Sequence, residues 1–166
     1  MIASTADPAF RLATASDAEL LLDLMHSYYA FDGHGFDRDK ARTALLGLLR
    51  DERFGRAWLV LDGSQTAGYA VLCFGYSLEW LGRDAFVDEL FLKEQYRGCG
   101  WGRQTLAYLE DAARKDGIRA LHLAVTATNA SARNLYTQVG FHQHTSTFHS
   151  KWIAQDGTKP EGRNGY

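Results

Sequence analysis

The sequence predicts an α/β fold, one mixed α+β sheet with helices on its faces, and three observations lead there. Apolar residues recur at helical spacing from Ser16 to Leu49, and at strand spacing from Arg56 onward. A glycine-rich junction at 97–102 joins an apolar strand to an amphipathic helix. The 166 residues are 46% hydrophobic, which is enough for one sizeable core, and no repeat or linker divides them.

In order, Phe10-Arg11-Leu12-Ala13 reads as a short first strand. Ser16 with Glu19 three residues on has the pattern of a capping box, and Leu20, Leu21, Leu24, Met25 and Tyr28 share the face of the helix it opens. Gly33 and Gly35 break that helix. Asp37 then caps a second, with Ala41, Leu45, Leu48 and Leu49 on one face. Ala57 to Leu61 is a strand, Asp62-Gly63-Ser64 a turn, and Thr66 to Phe74 the strand that pairs back. Gly82-Arg83-Asp84 reads as another reversal, and Phe86 to Leu92 as the next strand. A helix runs from about Trp101 to Lys115, with Leu106, Leu109 and Ala113 inward and Gly117 beyond its end. Ala120 to Val125 is a buried-type strand, and Asn129 caps a short helix carrying Leu135, Tyr136 and Val139. Phe141 onward and Phe148 to Ile153 are expected as closing strands. The expected order is β-α-α-β-β-β-α-β-α-β-β, a single domain over 1–153 with a polar tail over 154–166.

Eighteen Lys and Arg against twenty Asp and Glu give a formal net charge of −2, so the basic excess of a nucleic-acid binder is missing. Cys73 and Cys99 are too few for a disulfide framework, which makes a reducing, cytoplasmic location the expectation. Met1 to Pro8 has neither the basic nor the apolar region of a signal peptide, and no apolar run is long enough to span a membrane.

The junction carries the chemistry. A helix N-terminus offers unsatisfied N–H groups and the positive end of a dipole, and glycines let backbone approach an anion without a Cβ in the way. Gly98, Gly100 and Gly102 alternate there, behind Arg97. A P-loop requires Gly-Lys-Ser/Thr at its end, but Gly102 is followed by Arg103 and Gln104. A dinucleotide fold prefers G-x-G-x-x-G, whereas this is G-x-G-x-G.

Arg97-Gly98-x-Gly100-x-Gly102 after Leu90-Phe91-Leu92 resembles the coenzyme A motif of the GNAT acetyltransferase superfamily. Asn129-x-x-Ala132-x-x-Leu135-Tyr136 followed by Gly140-Phe141 is similar to that family's second motif. The resemblance covers about Phe10 to Ile153 and implies the GNAT acyl-CoA N-acyltransferase fold. It implies acetyl-CoA as co-substrate and an amine acceptor that is a small molecule or a peptide. No metal is expected, since His142, His144 and His149 read as solvated side chains rather than as a ligand set. Nucleic acid and membrane are not among the implied partners. Dimers are common in the family, and the closing strands could pair across subunits to form a homodimer.

By the same resemblance, the backbone amides of Gly98, Cys99, Gly100, Trp101, Gly102 and Arg103 hold the coenzyme pyrophosphate, with Arg97 beside them. Leu90, Phe91 and Leu92 pair with the pantetheine arm, and Asn129 and Ala132 contact the coenzyme at a helix start. Tyr136 matches the tyrosine near the coenzyme sulfur, where a phenol of pKa near 10 protonates the departing thiolate. Its other reading is a core tyrosine.

An amine must lose a proton before it attacks, so a base or a water chain leading to one is needed. Asp88 and Glu89 stand in an otherwise apolar strand, where a charge needs a partner or a task. A regular strand sends neighbours to opposite faces, and a bulge would change that. Val87 to Phe91 resembles the acidic pair of the spermidine/spermine-type branch, where Asp32 falls near a further acceptor carboxylate. Glu89 is read as base or water relay and Asp88 as acceptor contact; an ion pair with Lys93, Arg83 or Arg97 is the alternative for either acid. Tyr28, Tyr29, Phe31, Phe74, Tyr76 and Trp80 are candidates for the acceptor groove or for the core. The function expected is acetyl transfer from acetyl-CoA to a primary amine by direct attack. A coenzyme-binding regulatory module, or a transferase for another acyl group, stands as the alternative.

Overall fold

The computed structural model describes residues 7–154. The expected N-terminal segment falls partly, and the polar tail almost wholly, outside them. Five strands form one sheet in sequence order: β1 (Ala9–Leu12), β2 (Gly55–Asp62), β3 (Gln65–Ser77), β4 (Gly82–Leu92) and β5 (Ala120–His122). The first three pairings are antiparallel and β4–β5 is parallel. Helices α1 (Ala18–Asp32) and α2 (Arg38–Arg50) lie between β1 and β2 in the chain, α3 (Trp101–Lys115) between β4 and β5, and α4 (Ala130–Gln138) after β5.

The period-2 pattern of the central strands sorts their side chains into two cores. Ala57, Leu59, Tyr69, Val71 and Phe91 pack against Leu21, Leu22 and Leu24 of α1 and Leu45 of α2. On the opposite face Trp58, Ala70, Leu72 and Val87 meet Leu109 and Ala113 of α3. A third cluster, with Trp101 stacked on Tyr96, seals the sheet end next to the glycine junction. Gly68 is required where β3 crosses β4, since a Cβ there would lie 2.1 Å from the Phe91 carbonyl oxygen.

Several local expectations are corrected. The first helix is entered through a 3-10 turn, Ala15–Asp17, and the box is closed by Asp17, whose carboxylate accepts from the Thr14 N–H at 2.9 Å. Glu19 reaches Arg38 and Arg42 of α2 instead. Leu20 is exposed and Leu22 takes the inward place. Gly82-Arg83-Asp84 is already strand, because the reversal is completed between Ser77 and Gly82. Only Ala120–His122 of the expected 120–125 strand is paired. No strand forms over 141–154. Phe148, Trp152 and Ile153 in that segment are exposed, so no buried face fixes a register.

Candidate active site

The glycine junction has the geometry of an anion cradle. Gly98 and Gly100 have φ of 75° and 94°, left-handed backbone that favours glycine, and a Cβ on either would meet nothing within 4 Å. Gly100 caps α3 without a side chain, and the first bond into the helix runs from the Gln104 N–H to the Gly100 carbonyl. The amides of the first turn, from Trp101 to Arg103, therefore have no intrahelical acceptor. The side chains around them are committed elsewhere. Trp101 is buried, Cys99 donates from Sγ to the Tyr96 carbonyl, and Arg103 bridges to Gln138 of α4 at 2.5 Å. Gly102 lets α4 approach, since a Cβ would stand 3.1 Å from Leu135.

β4 leads into this junction with one edge open. Its parallel partner β5 pairs only with Asp84, Ala85 and Phe86. From Val87 to Leu92 the strand is paired on its β3 side and has no strand partner on the other among the described residues. An extended ligand can add to such an edge by main-chain hydrogen bonds. Arg97 anchors the far end, donating from Nε to the Leu92 carbonyl at 2.7 Å, with its guanidinium 4.0 Å from the Phe31 ring centre. The arginine thus faces the end of α1 as well as the loop.

Midway along β4 the ladder slips. Val71 pairs with Glu89 and Leu72 with Val87, which leaves Asp88 as an extra residue in a β-bulge. The bulge brings both acids to the α1–α2 side of the sheet. Glu89 is only 7% exposed, yet its carboxylate accepts from the Tyr69 hydroxyl at 2.6 Å and the Tyr29 hydroxyl at 3.0 Å. Burial and the neighbouring Glu89 charge push the Tyr69 phenol well above its ordinary pKa, so it remains a donor at neutral pH. Asp88 is exposed and stands near the Cys73 thiol. Burial first, and then that carboxylate, push the thiol up to about 12, so Cys73 is not a nucleophile at neutral pH.

Tyr136 lies half-buried on α4 with its ring edge-on to Phe141. Burial raises its phenol pKa, and the charge of Asp32 at the end of α1 raises it further, which brings those two predicted residues into one neighbourhood. Asp32 also lies 3.8 Å from His34. Asn129 is the cap of α4, and its Oδ1 accepts from the Ala132 N–H at 3.1 Å. The cations weighed against the acids bond elsewhere: Lys93 to the Thr66 carbonyl and Arg83 to that of Asp116. Of the candidate groove aromatics, Phe74 turns to the α3 face under Arg56 and Arg83, away from the acids. Tyr69 and Cys73 are the contacts that sequence reasoning did not assign; a tyrosine in the buried strand next to the one carrying the acids was the available signal.

Two depressions lie apart from this site. The larger, about 280 Å³ and lined by Trp58, Tyr108 and the Arg56–Asp116 pair, is on the α3 face.

Comparison with known proteins identifies the class to which this fold belongs. The family model described as Acetyltransferase (GNAT) family matches residues 19–141, more than half of the chain, and the chain belongs to that family. It is 49% identical over 69 residues to an uncharacterized N-acetyltransferase, YycN, of Bacillus subtilis, covering 42% of this chain and 44% of that one. It is 33% identical over 101 residues to the thialysine N-epsilon-acetyltransferase of Mus musculus, covering 61% and 51%. The chain thus spans about half the length of these curated relatives. Among solved structures, an integron cassette protein from the mobile metagenome of Cole Harbour Salt Marsh superposes with a TM-score of 0.79 at 30% identity, covering 87% of this chain and 90% of that one.

Proposed function

We propose that the chain is an N-acetyltransferase that moves the acetyl group of acetyl-CoA to a primary amine by direct attack in a ternary complex. The observation that carries this reading is the continuity of the site. One strand, β4, presents an open edge, runs into an anion-holding helix start, and carries two acids on a bulge beside that edge. Membership of the GNAT family supports the same chemistry.

Acetyl-CoA supplies the acetyl group as an activated thioester. The amides of Gly98 to Arg103 hold its pyrophosphate, and Leu90, Phe91 and Leu92 hold the pantetheine arm as an added strand. Asn129 and Ala132 shape the wall formed by the start of α4. Asp88, exposed on the bulge, meets the acceptor ammonium. Glu89 draws the proton away through the Tyr29 hydroxyl, a relay rather than direct contact. Tyr136, kept protonated by burial and by Asp32, donates to the departing thiolate. The C–N bond forms as the C–S bond breaks, and no residue of the chain is acylated. Two free cysteines support a cytoplasmic location, and the exposed Phe148, Trp152 and Ile153 support a homodimer, which sedimentation would measure.

Tyr136→Phe provides the test. The variant is expected to fold and bind acetyl-CoA as before, and to lose about 100-fold or more in kcat, the usual range for a general acid. Unchanged turnover would overturn the assignment. Release of free coenzyme A against no amine of a broad panel, with acetyl-CoA still bound, would indicate a regulatory module instead.

A further inference from the structure

The α1–α2 face of the sheet continues beyond the bulge toward the β3–β4 reversal. Gly75 pairs with Asp84 and Cys73 with Phe86, while His122 of β5 stands beside Phe86. Period-2 alternation then puts Asp84 and His122 on the same face as Cys73, which packs with the α1–α2 core. The two side chains sit side by side, His122 Nε2 lying 3.5 Å from Asp84 Oδ2. Asp84 Oδ1 and His122 Nε2 are both buried, and neither has a hydrogen-bond partner among the described residues. Their side chains are still 19% and 22% exposed, so other atoms of the pair reach solvent. The Trp80 ring is 5.1 Å from the His122 ring.

Buried polar atoms without partners cost free energy, and both of these can accept a hydrogen bond. A protonated nitrogen supplies what they lack: several N–H donors, a positive charge for Asp84, and an attraction to the face of Trp80. Gly75 makes room for the carboxylate itself, since a Cβ there would stand 2.6 Å from Asp84 Oδ1. From Asp88 to Asp84 is four residues of strand, on the order of 13 Å at the usual rise.

We propose that Asp84, His122 and Trp80 form a distal subsite for a second cationic nitrogen of the acceptor, spaced about 13 Å from the reacting amine. The subsite rests on the acetyltransferase reading above and adds to it a length requirement. A monoamine reaches only the bulge. A long diamine reaches the bulge and the subsite together.

The experiment is acetyl transfer by the full chain to a ladder of α,ω-diamines from three to twelve carbons, with the matching monoalkylamines alongside. KM is expected to fall with diamine length to a minimum near eight to ten carbons, with no such minimum for monoamines. Asp84→Asn should remove the minimum, raising KM for the best diamine about 10-fold or more while leaving its kcat and all monoamine values in place. Gly75→Ala, whose new methyl displaces the carboxylate, should give the same pattern and covers the case in which Asp84→Asn fails to fold. A flat ladder with active monoamines overturns the subsite and leaves an ordered water as the partner of the two atoms. Equal loss on diamines and monoamines in both variants makes the cluster merely structural and overturns it too. Transfer to none of the amines would sink the acetyltransferase reading, and the subsite with it.

Discussion

Glu89 carries its carboxylate into the buried α1–α2 side of the sheet, so the cost of burying it must be offset locally. The Tyr69 hydroxyl bond, at 2.6 Å, falls in the short range of charge-assisted O–H···O bonds. Tyr69 is 1% exposed, so Tyr69→Phe removes the donor without admitting solvent in its place. A hydrogen bond to a charged group is worth roughly 1.5–3 kcal/mol. At about 2–4 °C per kcal/mol for a chain of this size, Tm should drop by roughly 3–12 °C at neutral pH. Thermal and urea unfolding followed by circular dichroism would measure the loss. Glu89→Gln added to Tyr69→Phe removes the charge that needed the donor, so the double variant should recover part of the stability. A double-mutant cycle should return a coupling of about 1 kcal/mol or more. Additive losses, or a Tyr69→Phe protein as stable as the parent, would show that the hydroxyl does not carry the carboxylate.

Gly68→Ala sets a Cβ against the backbone of β4, which cannot move aside as a side chain would. It should cost about 1–3 kcal/mol or more, seen as a lower urea midpoint, and a midpoint equal to the parent's would contradict the close crossing. Asp17 tests the entry to α1. The Arg11 guanidinium holds its carboxyl at about 2, below the ordinary 3.8. A depressed carboxyl stabilises the fold above its unfolded pKa and loses that contribution as pH falls through the folded value. Asp17→Asn should therefore lower Tm at pH 6, and the gap to the parent should close between about pH 4 and 2; a constant gap across that range would exclude the ion pair as its source.

What the sequence made legible is local. The glycine junction, the bounds of α3 and the Asn129 cap each depend on residues within a few positions of one another, and each is found where the pattern puts it. The Ser16–Glu19 pattern failed because Thr14–Asp17, two residues earlier, satisfies the same spacing and also gains Arg11. The acids themselves could be read, but their setting could not. Tyr69 and Tyr29 reach Glu89 across 20 and 60 residues of chain, and the bulge follows from the register of two strands rather than from any local signature. The closing strands were overread from apolar residues in a segment that the three-residue β5 gives little edge to pair with.

The slip at Asp88 has a consequence for how such a site can change. Val71 opposes Glu89 and Leu72 opposes Val87, so the sheet on either side of residue 88 is already in step. Deleting that one position would leave a regular ladder, with Val87 still facing α3 and Glu89 still facing α1. The exposed carboxylate is, in effect, an insertion carried by an intact scaffold. A single-codon event is enough for a lineage to gain, lose or exchange it without refitting either core or the open edge of β4.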